Sequence, residues 1–533
     1  MKKKNKRNLR LKKFYFHPIT IFLVLIIVTV IASAILSFFQ MQGSYSTIDA
    51  TNNTLDTTLV TVENMLSFDG LKLIFSNALR SFLSFAPLGM LLVTLIGIGI
   101  SKSTGFLDVL CKRVFNKVDK RIMTFIIIFL AIISSLINDI GYVLLIPLAA
   151  IIFQANNRNP YVGMIAAFCG VSFGYGISIF VGSMEVNLIP YTTMAARLID
   201  SNAHISLTSN LFIIIGFSVI LAIIGTFIIE KIIIPRMGKY KEESSFTKTE
   251  EMQAIDIEEA EQLKIEQEKK EKKGLRRALI TGLIIVILFI YMLIPNLPYS
   301  GLLLDMTEDT YLGQLFGANS YFQDGFTYMI TLLLVAMGLA YGLSAKTVKN
   351  DKEIIAGCKE IYASMGEMIL LLFVSSQFIS IFRQTNIGTV ISSWCADAIN
   401  NISFTGIPLI IFVIIMVAIA SLFLTSSTTK WEIFSPIVVP AFMQANLSPQ
   451  FAQFIFRVGD SIAAGLTPLL PGFIIYLGFL NMYNKDLKKP ISIHKGISYV
   501  LPYFGIMAIS WILLTIGWYL IGLPIGPNVY PTL

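Results

Sequence analysis

The chain has 533 residues, of which 55% are hydrophobic and only 14% are charged. Soluble domains carry about 25% charged residues, so this composition excludes a soluble domain. Apolar runs long enough to cross a bilayer core of about 30 Å recur from Ile19 to the C-terminus, which predicts an all-α polytopic protein embedded in the lipid bilayer.

The N-terminal tail accounts for the net charge. The formal net charge is +8, and the segment MKKKNKRNLRLKK at 1–13 alone carries eight lysines and arginines and no acid. A basic cluster directly before the first apolar run is the positive-inside signal, so we predict a cytoplasmic tail over 1–17. Because the rest of the chain is neutral on balance, the charge does not indicate nucleic acid as a partner.

Nine crossings follow from the apolar runs and from the basic residues of their connections. They are predicted at 18–39, 85–101, 161–185, 208–234, 278–294, 326–345, 366–383, 450–480 and 498–523. The connections 40–70 and 295–325 carry acids but no lysine or arginine and are predicted outside the cell. The basic connections 102–121 and 346–359 are predicted inside.

A charged stretch divides the chain into two halves. Residues 235–277 mix both signs of charge, as in KIEQEKKEKKGLRR, which predicts a solvated cytoplasmic linker. The first transmembrane half then covers 18–234 and the second covers 278–533. Within the first half, 71–85 has charges among apolar residues and is predicted to form an amphipathic helix at the membrane interface.

Two further apolar regions are too long for one helix and are broken in the middle by polar residues. The first, 122–156, is broken at INDIG (137–141), and the second, 405–446, is broken at TSSTTK (425–430). Basic residues flank the first region but not the second. Each region is therefore predicted to be a re-entrant hairpin, the first entering from inside the cell and the second from outside.

An internal repeat relates these two regions. An offset of 289 places Pro147 on Pro436 (436 − 147). The same offset aligns Phe153 with Phe442, Pro160 with Pro449, Gly170 with Gly459, Ser172 with Ser461 and Gly176 with Gly465. A hairpin followed by a helix thus occurs twice, in opposite predicted orientations, which is typical of inverted-repeat transporters. The alternative is chance identity among glycines and prolines.

The polar break of the second hairpin supplies candidate binding groups. Non-helical backbone at membrane depth is stable only where protein or a water-filled cavity satisfies its polar groups. The hydroxyl residues predicted to line such a cavity and to contact a cation or substrate are Ser426, Ser427, Thr428 and Thr429. Alternatively, these hydroxyls bond back to their own helix. Trp431 is predicted to stack on an aromatic substrate or to anchor the chain at the membrane interface.

Two charges follow in FRVGDSIAAGLTPLLPG (456–472). Arg457 and Asp460 are three residues apart, share a helix face and are predicted to pair. Charges within a membrane span mark an ion or substrate path, unless the pair is purely structural. Gly465 and Pro468 predict that the helix is interrupted near these charges.

The first half carries fewer candidate residues. Asn138 and Asp139 lie in the INDIG break, and Glu185 follows the glycine-rich CGVSFGYGISIF helix. Carboxylic acids at such depths serve as proton carriers, so Asp139 and Glu185 are predicted to act in ion coupling together with Asp460. Asn138 is a candidate substrate ligand. The alternative for Glu185 is a position at the outer interface.

At these residues the chain resembles the p-aminobenzoyl-glutamate transporter (AbgT) family of the ion-transporter superfamily. The similarity runs from about Ser84 to the C-terminal GLPIGP and is strongest in NDIGYVLLIPLAAIIF, KWEIFSPIVVP and FRVGDSI…LTPLLP. The resemblance implies a bowl-shaped homodimer whose subunits each have nine transmembrane helices and two hairpins. It also implies transport driven by the proton motive force, either uptake of p-aminobenzoyl-glutamate or efflux of sulfonamides.

The resemblance also assigns roles to individual positions. Matching functional positions are Trp431, Pro449, Arg457, Asp460 and Pro468, with Thr428 where the family has Ser and Glu185 where it has Asp. Pro449 and Pro468, with Pro147 and Pro436, are the candidate hinges. Ser178, Ser421 and Ala464 stand where the family pattern has Asn, which leaves the cation site and the substrate preference open.

The sequence therefore predicts a secondary active transporter of a small molecule in a bacterial cytoplasmic membrane. Protons are the predicted coupling ion, no cofactor is expected, and Arg457 is predicted to exchange Asp460 for a substrate carboxylate between states. The alternatives are a sodium-coupled carboxylate importer of the same superfamily and a channel or receptor. A membrane enzyme is disfavoured because the spans contain no histidine or metal-ligand spacing. The substrate and the direction of transport stay open.

Overall fold

The computed structural model describes most of the chain, with short gaps. Described are residues 16–49, 54–115, 118–137, 139–238, 257–484, 486 and 489–533, with the backbone alone at 115 and 257–264. Three sequence predictions fall partly or wholly outside the described residues. They concern the basic tail up to position 15, residues 239–256 of the linker, and Asn138.

The described chain is mostly helical, in two successive halves. The first half contains α1 (Pro18–Phe38), β1 (Gln42–Ile48), β2 (Leu55–Thr61), α2 (Phe68–Leu83), α3 (Ala86–Ser103), α4 (Phe106–Phe115), α5 (Lys120–Ile133), α6 (Ile140–Ala155), α7 (Pro160–Phe173), α8 (Ser183–Arg197), α9 (Leu211–Ile228) and α10 (Ile234–Met237). The second half contains α11 (Ile257–Met292), α12 (Tyr311–Phe316), α13 (Tyr321–Ala345), α14 (Asp351–Ala363), α15 (Gly366–Gln384), α16 (Ile387–Asn400), α17 (Gly406–Ser421), α18 (Ser427–Gln444), α19 (Pro449–Ala463), α20 (Pro471–Met482) and α21 (Ile493–Ile521).

Nine helical stretches of the described chain are long and apolar enough to cross a membrane, which agrees with the predicted number. Those that coincide with predicted crossings are Pro18–Phe38, Phe68–Ser103, Leu211–Met237, Ile265–Met292, Tyr321–Ala345, Gly366–Gln384, Pro449–Met482 and Ile493–Ile521. The remaining one, Lys120–Ile137, lies where the sequence predicts the first arm of a hairpin.

The predicted crossing at 161–185 is wrong as a single helix. The helix there, α7, has 14 residues, about 21 Å at 1.5 Å per residue, which is shorter than the bilayer core. It ends at Phe173, and Gly174 and Gly176 follow. Gly176 has a φ of +83°, a conformation that a helix cannot contain and that glycine adopts without steric cost.

The helix bounds of the two halves follow the offset of the sequence repeat. Pro449 begins α19 and Pro160 begins α7, 289 positions apart (449 − 160), and the same offset separates the last residues of α18 and α6, Gln444 and Ala155 (444 − 155). In each half, a pair of helices is followed by a helix, a break and a short helix. The repeat is therefore present in the order of elements. The opposite orientation of its two copies in the membrane stays a prediction.

Each predicted hairpin region contains two helices joined by a polar turn. In the first, α5 and α6 are separated by a 3-10 turn (Ser134–Ile137) and the two following positions. In the second, α17 and α18 are separated by residues 422–426. Ser426 caps α18, because its Oγ accepts a hydrogen bond from the Thr429 backbone N–H at 3.3 Å. The turns thus overlap the predicted polar breaks, although residues 427–430 of the second break lie in the first turns of α18.

A small β-hairpin, which the sequence analysis missed, adds to the predicted all-α fold. Strands β1 and β2 are antiparallel, with Gln42 opposite Thr61, inside the connection 40–70. The hairpin contacts the second half, since Trp394 Nε1 donates to the Gln42 carbonyl at 3.0 Å. Four of the seven residues of β2 are threonine or valine, β-branched residues that favour a strand. The amphipathic helix predicted at 71–85 is present as α2.

Burial separates a central group of helices from a peripheral one. In the span Pro449–Met482, 78% of an apolar stretch of 18 residues is buried inside the protein, whereas in the span Ile265–Met292 the buried share is 11%. The central helices α7 and α19 are buried along nearly their whole length. α5 and α6 pack against α7, and α17 and α18 pack against α19. The breaks that follow α7 and α19 therefore lie in the middle of the molecule.

Candidate functional site

The polar turns of both hairpin regions line one cavity of about 250 Å³, which we name the central cavity. From the first half it is lined by Ser135, Asp139, Tyr142, Tyr175, Ser183, Met184 and Asn187. From the second half it is lined by Arg383, Thr425, Ser426, Ser427, Thr428, Asp460, Ala464, Leu470 and Pro471. The structure thus brings together predicted site residues that lie more than 280 positions apart in the sequence, such as Asp139 and Ser427 (427 − 139).

Asp460 forms a buried ion pair with Lys430, which we name the cavity pair. Lys430 Nζ donates to Oδ1 of Asp460 and, at 2.9 Å, to Oγ of Ser421. Ser421 Oγ also lies 2.9 Å from the same Oδ1, and Ser427 Oγ donates to Oδ2. The predicted pair between Arg457 and Asp460 is wrong, because residues of the second hairpin occupy both oxygens of the carboxylate.

The cavity pair is almost fully removed from the surface. Lys430 is 1% exposed and Asp460 is 3% exposed, and Asp460 contributes to the wall of the central cavity. Removing charges from water costs several kcal/mol per ion unless they are paired and hydrogen-bonded. The two serine hydroxyls complete the hydrogen bonding of the pair, so this arrangement holds a charged carboxylate beside a solvent-accessible space.

Arg457 forms a second buried ion pair, with Glu185, which we name the sealed pair. Arg457 Nη1 donates to Oε1 of Glu185 at 2.5 Å and to the Gly176 carbonyl at 3.2 Å. The other carboxylate oxygen of Glu185 accepts a hydrogen bond from the Gly182 N–H at 2.7 Å. Neither charged residue lines the central cavity. Glu185 is 2% exposed, so its carboxylate is enclosed by protein; its depth in the membrane stays a prediction.

The break after α7 positions the sealed pair. The left-handed conformation of Gly176 ends the helical hydrogen bonding there, and the free carbonyl accepts the Arg457 guanidinium. Glu185 lies in the first turn of α8, where the helix dipole favours a carboxylate. Ser461 Oγ donates to the Tyr175 carbonyl. Residues of α19 therefore hold the break of the first half in place.

Each hairpin turn is bonded to the helix break of its own half. Ser135 Oγ donates to the Ile177 carbonyl at 2.8 Å in the first half. Thr467 Oγ1 donates to the Leu422 carbonyl at 2.7 Å in the second. The two contacts are equivalent, but the donor and the acceptor are exchanged. In the first half the hairpin turn donates through Ser135, and in the second half the helix break donates through Thr467. A displacement of either hairpin would therefore act directly on the neighbouring break.

Trp431 does not line the central cavity. It is fully buried, its Nε1 donates to Thr192 Oγ1 at 2.9 Å, and its ring lies 4.7 Å from the ring of Phe456. Neither a stacked substrate nor a position at the lipid interface fits this placement. The aromatic rings that do line the cavity belong to Tyr142 and Tyr175, which the sequence analysis did not single out.

The candidate hinge prolines lie at helix ends and inside hairpin helices. Pro449 occupies the first turn of α19, and Pro468 lies in the break between α19 and α20. Pro147 and Pro436 lie inside α6 and α18, where each removes one backbone hydrogen bond. The interruption predicted after Asp460 is present, since α19 ends at Ala463 and α20 begins at Pro471. A hinge motion at these positions stays a prediction.

The three positions at which the resemblance expects asparagine lie around the two breaks. Ser421 contacts the cavity pair, Ala464 lines the central cavity, and Ser178 Oγ donates to the Phe180 carbonyl. All three side chains are small. At Ser421, the ammonium group of Lys430 contacts both the small hydroxyl side chain and Asp460.

Lys430 is the functional candidate that the sequence analysis overlooked. It lies in a hairpin whose flanks contain no lysine or arginine, so a charge there requires a partner at membrane depth. The need for such a partner is the feature of the sequence that could have identified Lys430 as a functional candidate. The sequence does not indicate which of several acids supplies the partner.

Comparisons with known proteins identify the family. Residues 12–533 match the family model described as "AbgT putative transporter family". The p-aminobenzoyl-glutamate transport protein of Escherichia coli (strain K12) is 31% identical over 517 residues, which cover 97% of this chain and 94% of that protein.

Two solved structures are also similar. The YdaH transporter of Alcanivorax borkumensis is 26% identical, with a TM-score of 0.47, and the match covers 96% of this chain and 100% of that chain. MtrF of Neisseria gonorrhoeae, assigned to a class of antimetabolite efflux pumps, is 29% identical with a TM-score of 0.46, and the match covers 97% and 98% of the two chains. The family model and the Escherichia coli relative both span nearly the whole chain, and the described part has the spans of a multi-pass membrane protein. This chain therefore belongs to the AbgT family of transporters.

Proposed function

We propose that this transporter uses the proton motive force to move p-aminobenzoyl-glutamate, or related aromatic compounds such as sulfonamides, across a bacterial cytoplasmic membrane. The substrate follows the name of the Escherichia coli relative. One observation carries the proposal: Asp460, which is paired with Lys430, lines a cavity that both hairpin turns also line.

Asp460 is the proton-binding group in this mechanism. Its carboxylate lies on the cavity wall and holds Lys430 of α18 against α19. A proton on Asp460 removes the charge that Lys430 faces, and an uncompensated buried ammonium is strongly destabilising. Protonation therefore weakens the contact between α18 and α19, so that proton binding and the position of the second hairpin depend on each other.

The other two predicted coupling residues, Asp139 and Glu185, have different roles in this mechanism. Asp139 lines the same cavity from the first hairpin turn and provides a second carboxylate for a proton. Glu185 acts indirectly, because its carboxylate is enclosed and paired with Arg457. Arg457 holds the break after α7 in place while Asp460 gains or loses a proton. The predicted exchange of Arg457 between Asp460 and a substrate is not part of this mechanism.

The central cavity offers groups that suit an aromatic amide. The hydroxyls of Ser426 and Thr428 and the rings of Tyr142 and Tyr175 line it. Hydroxyls can donate to and accept from an amide, and aromatic rings pack against an aryl group. Substrate binding in this proposal thus uses the hairpin turns that also carry the coupling residues.

Orientation and assembly are further parts of the proposal. The basic segment 1–13 supports a cytoplasmic N-terminus. The exposed apolar surfaces of α1, α11 and α21 face lipid or a second copy of the chain. A homodimer is proposed from the family resemblance.

Sodium coupling is the second candidate. The hydroxyl oxygens of Thr425, Ser426 and Thr428 surround the cavity beside Asp460, and hard cations bind oxygen ligands. The proton is favoured because Lys430 already provides the positive charge at Asp460.

The test uses purified protein in liposomes with an imposed pH gradient. Flux of radiolabelled p-aminobenzoyl-glutamate and of sulfamethazine is compared between the intact protein, Asp460→Asn and the control Asp309→Asn, which removes an exposed acid in a loop. We expect gradient-driven flux in the intact protein and in the control, and none in Asp460→Asn.

Two outcomes would overturn the proposal. If neither compound moves in the intact protein under any gradient, the substrate class is wrong. If flux follows a sodium gradient and ignores the pH gradient, sodium replaces the proton as the coupling ion. Because the pH and sodium gradients are imposed separately, the two failures are distinguishable.

A further inference from the structure

Three cavities of the described structure meet at one residue, Arg383. It lines the central cavity, a second cavity of about 370 Å³ between α2, α3 and α15, and a small cavity of about 40 Å³. We name the second one the side cavity. Asp139 and Pro471 also line both the central and the side cavity. Arg383 therefore lies where the two larger cavities adjoin.

The guanidinium of Arg383 has no partner among the described residues. No described carboxylate oxygen lies within 4.0 Å of it, and no side-chain hydrogen bond from it to another described residue is formed. Arg158 and Arg457 differ, because both are paired with glutamates at 2.5–2.6 Å. Arg383 is exposed and lies in the last turn of α15. Its five donors are thus available to a molecule in the cavities.

The other charged groups facing these cavities are acids. Of the described residues that line the three spaces, those with charged side chains are Arg383, Asp139 and Asp460. Asp460 is already bonded to Lys430. A substrate carboxylate in the central or side cavity therefore meets a single available cation, and it is repelled by the carboxylates elsewhere on the wall.

Apart from Arg383 and Asp139, the polar groups that line the side cavity are uncharged. Ser81 and Ser380 are bonded to each other at 2.8 Å, and Gln384 Nε2 donates to Ser380 Oγ at 3.3 Å. Gln384 Oε1 is buried without a hydrogen-bond partner. The hydroxyls and amide form a hydrophilic wall next to Arg383, which suits a charged end group better than an apolar one.

We propose that Arg383 is the receptor for a carboxylate of the transported substrate and that it selects anionic over neutral substrates. The inference rests on the proposed function and adds to it the group that recognises the anion. A guanidinium binds a carboxylate through two parallel hydrogen bonds, which a lysine cannot reproduce. The aryl end of the substrate then extends into the central cavity toward Tyr142 and Tyr175.

This assignment replaces the role that the sequence suggested for Arg457. Arg457 is 1% exposed and is enclosed with Glu185, so a substrate in the central cavity does not reach it. Arg383 has the same chemistry in an accessible position. A lipid phosphate is a less suitable partner, because Arg383 lines spaces between helices and the hairpin turns.

The test measures equilibrium binding to detergent-purified full-length protein by calorimetry. The variants are Arg383→Gln, Arg383→Lys and the control Arg236→Gln, which removes an exposed arginine far along the chain from the cavities. The ligands are p-aminobenzoyl-glutamate, which carries carboxylates, and sulfamethazine, which carries none. We expect Arg383→Gln to raise the Kd of the anionic ligand about 10- to 100-fold and that of sulfamethazine less than about twofold. Arg383→Lys should recover part of the loss.

The remaining outcomes contradict the inference in recognisable ways. An unchanged Kd for p-aminobenzoyl-glutamate in Arg383→Gln excludes the receptor role and leaves the proposed function intact. An equal loss of affinity for both ligands in Arg383→Gln indicates that Arg383 has a structural role, which contradicts the inference. If Arg383→Gln weakens the binding of p-aminobenzoyl-glutamate only in vesicles with anionic lipid, and not in detergent, Arg383 is assigned to a lipid headgroup.

A matched pair of small ligands separates this inference from the proposed function. If the intact protein binds neither transport candidate, the proposed function fails on its own. Benzoate and benzamide, which have similar shape and differ in charge, are then compared by thermal stabilisation. Stabilisation by benzoate alone, lost in Arg383→Gln but not in Arg236→Gln, supports the anion receptor, and equal effects of both ligands in all three proteins overturn it.

Discussion

The two buried ion pairs are similar in burial but differ in what they face. The cavity pair, Lys430 and Asp460, is held by serine hydroxyls, and its acidic member, Asp460, lines the central cavity. The sealed pair, Arg457 and Glu185, is held by backbone groups of the first break and lies away from that cavity. A carboxylate that borders a cavity can exchange a proton with water, whereas an enclosed pair can only maintain structure. Access to the cavity, more than burial or charge, therefore distinguishes a coupling residue from a structural one.

The largest expected effect comes from breaking the sealed pair. Glu185→Gln leaves the Arg457 guanidinium buried without a counter-charge, so we expect the free energy of unfolding to fall by about 3–5 kcal/mol. Denaturant unfolding in detergent, followed by tryptophan fluorescence, measures this change. The control Glu360→Gln alters an exposed glutamate of α14 and should change stability by less than about 0.5 kcal/mol. Equal stability of the two variants would show that the sealed pair is not structural.

A smaller stability loss is expected at the cavity pair. Asp460→Asn keeps an oxygen acceptor for Lys430 and Ser427, so the ammonium group loses its counter-charge but retains its hydrogen bonds. We therefore expect a loss of about 1.5–3 kcal/mol in the same unfolding measurement, together with complete loss of gradient-driven flux. The contrast between the pairs would disappear if Asp460→Asn were destabilised as much as Glu185→Gln.

The smallest expected effect concerns Trp431, which directly follows Lys430 of the cavity pair in the sequence. Trp431→Phe keeps an aromatic ring but removes the hydrogen bond to Thr192, so we expect a loss of about 1 kcal/mol in the free energy of unfolding. Substrate Kd should change by less than about twofold, because the ring does not line the cavity. Thr192→Val removes the same bond from the other side, together with the hydrogen bond that Thr192 Oγ1 accepts from Gln453 Nε2 at 3.0 Å, and should be at least as destabilising. A tenfold rise in Kd specific to Trp431→Phe would restore the stacking role that the sequence suggested.

Much of the fold followed from the sequence because it depends on local pattern. Apolar runs indicate spans of the right length, and the 289-residue offset of Pro160 and Pro449 recurs at the helix starts. The crossing at 161–185 was misjudged because its composition is apolar throughout. Only the backbone conformation at Gly176 shows that the helix ends within it. The β-hairpin lacked an apolar run, so the span pattern did not reveal it.

The site was less predictable, because ion pairing is decided between distant segments. Arg457 and Asp460 share a helix face, which favours a local pair, but their partners come from 272 and 30 positions away. Serine hydroxyls and a lysine of the second hairpin outcompete the neighbouring arginine for Asp460. Arg383 carries no sequence signal either, since an arginine at the end of a span is usually an interface residue. Only the arrangement of the cavities shows its position.

The helix α11 combines the end of the charged linker with a membrane span in 36 continuous residues. At 1.5 Å per residue it is about 54 Å long, so roughly 24 Å extends beyond a hydrocarbon core of about 30 Å. Its polar residues from 265 to 270 are exposed. A rigid rod of this kind works as a lever, because a small tilt of the span produces a larger displacement at its tip. A probe attached at Glu266 would therefore magnify any rocking of the peripheral helices and make the working cycle observable from the aqueous side.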